Sequence, residues 1–131
     1  MQADLLVDAL RQRWPDLMAV YAFGSRIAGH HRSDSDLDLA ILRPGYTDPV
    51  QLWEQAGHLA DQTHCPVDLL DMRATSTVMQ HQILTQGTRW WSHGTDTDLF
   101  EAAMLTEKLH LDEARKGILE DIQARGTVYG G

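Results

Sequence analysis

Apolar and polar residues alternate along the chain in short blocks whose spacing predicts helices and strands in turn. Near the amino terminus, "ADLLVDALRQRW" repeats apolar residues four apart, which predicts an amphipathic helix that Pro15 ends. The apolar run Leu17–Phe23, bounded by Pro and Gly, predicts a buried strand. From Leu37 to Ile41 every second residue is a large aliphatic, which predicts a second strand that stops at "RPG".

The second half of the chain continues the alternation. Asp48 is a predicted N-cap before Pro49, and it opens a helix with apolar residues on one face, Leu52, Ala56 and Leu59. A third short strand is predicted over residues 66–72, and a helix over residues 75–86 that Gly87 ends. Asp98 with Glu101 is the predicted cap of a long final helix. The order helix, strand, strand, helix, strand, helix and C-terminal helix indicates an α/β (α+β) fold.

Length, composition and charge limit the classes of protein that this chain can represent. Its 131 residues suit one domain, 1–131, with a core over about residues 1–92 and a helical segment over about residues 97–125. The longest apolar run, Met18–Phe23, is far below the ~20 residues of a membrane span, and no basic-then-apolar leader opens the chain, so we expect a cytoplasmic protein. A net charge of −8 disfavours direct nucleic-acid binding and favours a basic protein partner. The single Cys65 is expected to be a small buried apolar residue.

The stretch "GSRIAGHHRSDSDLDLAIL", residues 24–42, carries the candidate chemistry between the first two strands. Gly24 and Ser25 follow the first strand, where a backbone without Cβ and a hydroxyl can approach a phosphate. Asp36 and Asp38 lie two apart, so both carboxylates project from one face of the second strand. Two like charges this close repel unless a cation lies between them, and a hard divalent cation with oxygen ligands is the usual partner. A solvated acidic edge strand is the alternative.

Glycine-serine, ten intervening residues and then aspartate-x-aspartate resembles the signature of the polymerase-β-type nucleotidyltransferases, and in particular of the minimal nucleotidyltransferase (MNT) family. Arg26 and Gly29 also match the "GSRxxG" form of that signature. The resemblance implies a small mixed β-sheet flanked by helices. It also implies a third carboxylate on a neighbouring strand, which Asp68 in "VDLL" matches better than Asp71 at the strand's exit, where a surface ion pair with Arg73 is expected.

Nucleotidyl transfer accounts for these residue types. Two Mg²⁺ ions can stabilise the entering and leaving oxygens of an in-line attack on the α-phosphorus of ATP. Asp36 and Asp38 would then bridge the ions, and Asp68 would bind the one that activates the nucleophile. Gly24 and Ser25 would hold the β and γ phosphates, and Arg26 would neutralise phosphate charge. The remaining candidates have two interpretations each or fit poorly. Asp34 forms a second aspartate pair with Asp36, but at the wrong distance from the glycine-serine motif. His30 and His31 suit a solvated loop, with nucleotide contact as the alternative, and Trp90 and Trp91 suit a core or an interface, with adenine stacking as the alternative.

Proteins that resemble this family commonly act as the antitoxin of HEPN/MNT toxin–antitoxin pairs, so the resemblance implies AMPylation of a tyrosine on a HEPN ribonuclease toxin. Two alternatives stay open: a non-catalytic antitoxin that only binds the toxin, and a small-molecule, aminoglycoside-type nucleotidyltransferase. The short segment after "TRWWSHG" argues against an enclosed pocket for a small acceptor. A stripe on the final helix either packs on the chain's own sheet or docks a partner: Leu111, Arg115, Ile118, Leu119 and Ile122.

Overall fold

A four-stranded mixed sheet lies at the centre of the computed structural model, which describes residues 2–24 and 36–124. The elements are α1 (Gln2–Arg13), β1 (Ala19–Phe23), β2 (Leu37–Leu42), α2 (Pro49–Thr63), β3 (Val67–Asp71), α3 (Thr77–Gln86), β4 (Thr88–Ser92) and α4 (Thr95–Ala124). The α/β (α+β) class with helices flanking a mixed sheet is confirmed. The predicted order of elements omitted β4, which "TRWWS" forms.

The strands lie in the order β3-β2-β1-β4. β1 is antiparallel to both of its neighbours, whereas β2 and β3 are parallel and α2 crosses between them. The parallel pair therefore starts at the same end of the sheet, and β3 is left at the sheet's edge.

Helices cover both faces of the sheet. One core cluster joins α1 and α2 to the face that includes Leu39 and Ile41, and the second joins α3 and α4 to the face that includes Ala40 and Leu42. All but one of the β2 side chains are therefore buried, although the sequence pattern predicted one apolar face. Asp38 is the exception, because it lies on the second face near the start of the strand and is only half-buried.

The capping residue predicted for α2 is confirmed, and the one predicted for α4 is wrong. The Asp48 carboxylate accepts a hydrogen bond from the Val50 N–H at 2.9 Å, with Pro49 in the first helical position. α4 begins at Thr95, so Asp98 and Glu101 lie inside the helix.

Asp98 and Glu101 instead fasten α4 to the sheet. Arg89 of β4 donates to Asp98 Oδ1 at 2.9 Å and to Glu101 Oε1 at 3.1 Å. The Tyr21 hydroxyl donates to the same Glu101 oxygen at 2.6 Å. Burial and the neighbouring Glu101 carboxylate raise the pKa of Tyr21, so the phenol stays protonated and remains a donor. These contacts join β1, β4 and the first turns of α4.

Several minor predictions concern side chains around the core. Cys65 is half-buried against the first cluster, so its small apolar role is confirmed but its full burial is not. Trp90 and Trp91 are half-buried against the same cluster, and the Arg11 guanidinium lies 4.6 Å from the Trp91 ring centroid. The stripe on α4 includes a half-buried Leu111 and an exposed Arg115. Its other members lie outside the described side chains: Ile118, Leu119 and Ile122.

Within residues 2–24 and 36–124, every helix is too short or too polar to cross a bilayer.

Candidate active site

Three carboxylates meet where the parallel strands begin. Asp36 immediately precedes β2, Asp38 is the second residue of β2, and Asp68 is the second residue of β3. The parallel register places Asp38 opposite Asp68. Because strand side chains alternate, all three belong to the face that α3 and α4 cover farther along the strands. The structure thus brings the three predicted carboxylates to one end of one face.

The carboxylates interact unfavourably with one another. Burial raises the pKa of Asp38, and the negative charges of Asp68 and Asp36 raise it further. Asp36 and Asp68 are exposed. Among the side-chain contacts of the described residues, none of these three carboxylate groups has a hydrogen bond or a salt bridge. A cation bound here would relieve the repulsion and offset the cost of burying Asp38.

The backbone of Gly24 lies directly beside Asp38 of this cluster. Its φ is +87°, and a Cβ added to it would lie 2.2 Å from Asp38 Oδ2. Only glycine avoids both the backbone strain and this overlap. The end of β1 therefore passes directly beside the half-buried carboxylate, which explains why the motif needs a glycine here. Other candidate residues of the motif lie outside the described residues: Ser25, Arg26, Gly29, His30, His31 and Asp34.

Asp71 is a structural residue, and the surface ion pair expected for it is wrong. It is three residues from Asp68, so its side chain is on the opposite face of β3. It is 4% exposed. Its two carboxylate oxygens accept backbone N–H groups, Oδ2 from Thr47 at 2.9 Å and Oδ1 from Arg73 at 3.0 Å. These bonds fasten the loop after β2 to the end of β3, away from the three carboxylates.

The fit of the cluster to Mg²⁺ follows from its donor set. Within residues 2–24 and 36–124, no three His, Cys, Asp or Glu side chains are already gathered closely enough to form a metal cage. Mg²⁺ does not require such a cage, because it usually takes one or two carboxylates and completes its shell with water and substrate phosphates. Neighbouring carboxylates beside the backbone of Gly24 are a donor set of this kind and suit that ion.

Sequence reasoning missed one feature beside Asp68, a Trp53 side chain that is 78% exposed. It lies in α2 next to Leu52, outside the face formed by Leu52, Ala56 and Leu59, so helical periodicity could have placed it on the surface. The surface around it could not have been predicted, because strand β3 contributes the other half of that surface.

Residues 6–96 match the family model described as "Polymerase beta, Nucleotidyltransferase". The chain belongs to this family. The nucleotidyltransferase is also 35% identical over 119 residues to the protein adenylyltransferase MntA of Shewanella oneidensis, a match that covers 91% of this chain and 86% of that protein.

Several solved structures similar to this nucleotidyltransferase come from toxin–antitoxin complexes. A chain of a toxin–antitoxin structure with AMP-PNP has a TM-score of 0.82 and 33% identity, with 94% of this chain and 99% of that chain covered. A chain from the complex of a tri-AMPylated S. oneidensis HEPN toxin with its MNT antitoxin has a TM-score of 0.75, 33% identity and the same coverage of 94% and 99%. The likeness extends over nearly the whole length of both chains.

Proposed function

We propose that this nucleotidyltransferase is an antitoxin that transfers AMP from ATP to a tyrosine of a HEPN ribonuclease toxin and thereby inactivates it. The observation that carries the proposal is the meeting of Asp36, Asp38 and Asp68 beside the glycine turn at Gly24. The similarity to the adenylyltransferase MntA, and to antitoxin chains solved with AMP-PNP or with an AMPylated toxin, supports the protein acceptor.

The chain's own residues would divide the work by their places in the sheet. Gly24 would admit the β and γ phosphates to the backbone, with Ser25 and Arg26 following it in the motif. Asp36 and Asp38 would hold Mg²⁺, and Asp68 would add its carboxylate from the neighbouring strand. When bound, Mg²⁺ supplies charge stabilisation to the oxygens on either side of the α-phosphorus. We propose two such ions.

The reaction forms one phosphorus–oxygen bond and breaks another. The acceptor tyrosine oxygen attacks the α-phosphorus, the bond to the β-phosphate oxygen breaks, pyrophosphate leaves, and the phenolic proton passes to solvent or to a carboxylate. Asp68 is exposed and lies on the outer strand, so it is the carboxylate nearest to an acceptor that approaches from the sheet edge. The added AMP would bring a negative phosphate and bulk to a toxin surface that must admit RNA.

The experiment that tests this proposal separates chemistry from binding. The purified partner toxin is incubated with this protein, ATP and Mg²⁺, the two are separated under denaturing conditions, and the refolded toxin is assayed for intact mass and RNA cleavage. We expect added AMP and lost cleavage, both prevented by EDTA. Full cleavage with no added mass, and protection only while the two proteins stay bound, would leave stoichiometric inhibition as the function.

Asp68→Asn and Asp71→Asn are expected to fail in different assays. Asp68→Asn removes charge from the site but leaves the Gly24 turn and the other two carboxylates in place, so turnover should fall far more than ATP affinity. Asp71→Asn should keep near-normal turnover but should lose about 1–3 kcal/mol of unfolding free energy, because an amide can replace only one of the two accepting oxygens.

Single-turnover kinetics, ATP titration and urea denaturation of both variants check this prediction. If Asp71→Asn abolishes turnover in a protein of normal stability, while Asp68→Asn stays active, the third carboxylate has been assigned to the wrong residue.

A further inference from the structure

One edge of the sheet is open beside the site. The Leu37 N–H donates to the Pro66 carbonyl at 2.9 Å and the Met72 N–H donates to the Ile41 carbonyl at 2.8 Å, which brackets the parallel ladder of β2 and β3. In such a ladder every second residue turns its backbone groups toward the neighbouring strand. Val67 and Leu69 therefore turn their N–H and C=O groups outward. No strand of the described residues pairs with that edge.

Two apolar grooves run along this edge, and we call them together the β3-edge groove. The larger, about 450 Å³, lies between β3 and the first half of α2, and its wall includes Asp68. The smaller, about 300 Å³, continues past Trp53 to Pro66. Trp53 and Val67 border both. The exposed indole thus stands between two adjoining apolar grooves, and the larger of them reaches Asp68 of the proposed active site.

The lining of the β3-edge groove, as far as the described residues form it, contains no basic side chain. Its charged residues are Glu54, Asp68 and Asp71. The Asp71 carboxylate already accepts hydrogen bonds from two backbone N–H groups. An apolar surface with carboxylates along it suits a polypeptide segment with aromatic or basic side chains, and it opposes a phosphate backbone. An open strand edge is also a ready template for an extended segment.

The sheet order fixes the side from which the acceptor comes. Gly24 ends β1, Asp38 is on β2 and Asp68 is on β3, so the three lie in sequence across the sheet toward the groove. Phosphates held at Gly24 occupy the β1 side. In an in-line attack the acceptor hydroxyl would then enter from the β3 side, where the larger groove reaches Asp68.

From these observations we infer that the β3-edge groove binds the segment of the acceptor protein that carries the modified hydroxyl, in an extended conformation, with its backbone paired to Val67 and Leu69 and its apolar side chains against Trp53. This inference rests on the proposed function. In this inference Trp53 is a positioning residue for the acceptor. A large, exposed aromatic side chain flanked by pockets is the usual form of a binding hot spot.

The test compares Trp53→Ala with Leu109→Ala, which removes a similarly exposed apolar side chain (61% exposed) from α4. With the partner toxin as acceptor, Trp53→Ala should raise the KM for the toxin by about tenfold or more and leave kcat and the KM for ATP unchanged. Leu109→Ala should keep all three wild-type values. Unchanged toxin KM in Trp53→Ala would overturn the inference.

A second measurement decides the question even if the wild-type protein transfers no AMP, which would be a failure of the proposed function alone. For this measurement, a photoreactive benzoylphenylalanine is placed at position 53 and irradiated in the complex with the toxin. It should cross-link to the toxin peptide that contains the AMP-accepting tyrosine or, if no AMP is transferred, to the toxin peptide that corresponds to an AMPylated peptide of the related HEPN toxin. Cross-links confined to other toxin peptides, or no cross-link in a complex that forms normally, would overturn the docking assignment whatever the activity.

Discussion

AMP transfer by the Asp36→Asn, Asp38→Asn double variant should fall by about a thousandfold or more, because the loss of metal-mediated charge stabilisation costs several kcal/mol of transition-state energy. Both carboxylates are at the start of β2, and Asp38 is the half-buried one. Intact mass of the partner toxin after timed incubation with ATP and Mg²⁺ measures the loss. Asp61→Asn, which removes an exposed charge from α2, should transfer AMP at the wild-type rate.

The same variant should fold at least as well as the parent. Burial and two negative neighbours raise the pKa of Asp38, so the stability linked to its protonated form is lost as the pH rises through that pKa. At neutral pH without metal, an uncharged Asn removes this penalty, and the melting temperature should rise. Added Mg²⁺ with ATP should stabilise the parent and not the variant. Two results would contradict the metal assignment. One is undiminished AMP transfer by the double variant, and the other is a parent melting temperature that does not change when Mg²⁺ and ATP are added.

Gly24→Ala should lower AMP transfer by about a hundredfold, because displacing a reacting or positioning group by about 1 Å has an effect of that size. The new Cβ would lie 2.2 Å from Asp38 Oδ2, so the carboxylate or the end of β1 must move. The positive φ of 87° at this position adds strain that should cost about 1 kcal/mol of stability. Single-turnover transfer and urea denaturation measure the two effects.

Gly117→Ala is the matched control. Gly117 lies in α4, and a Cβ added there would meet nothing within 4 Å, so alanine should keep normal transfer and stabilise the helix by about 0.5–1 kcal/mol. Normal transfer by Gly24→Ala would show that the backbone beside Asp38 does not take part in positioning the nucleotide.

The local sequence predicted the elements well because capping and periodicity act over a few residues. Asp48 and Pro49 predict the start of α2, and Gly87 predicts the end of α3. Both predictions are confirmed. The α4 cap failed for a nonlocal reason, since Arg89 of β4 engages Asp98 and Glu101 from outside the helix. The strand β4 was omitted from the predicted order because "TRWWS" has no clear alternation and pairs only through β1.

The sequence alone also determined that two aspartates project from one strand face, because a period of two is a property of the strand itself. The family resemblance favours Asp68 over Asp71 as the third carboxylate, and this assignment stays a prediction. What only the tertiary structure placed is the setting of the two residues: the parallel register sets Asp68 opposite Asp38, and Asp71 is buried against the amides of Thr47 and Arg73. The closeness of Gly24 to Asp38 and the open edge beside Trp53 likewise depend on how separate strands and helices pack. Residues far apart in the chain acquire these relations only when the sheet forms, so tertiary structure alone places them.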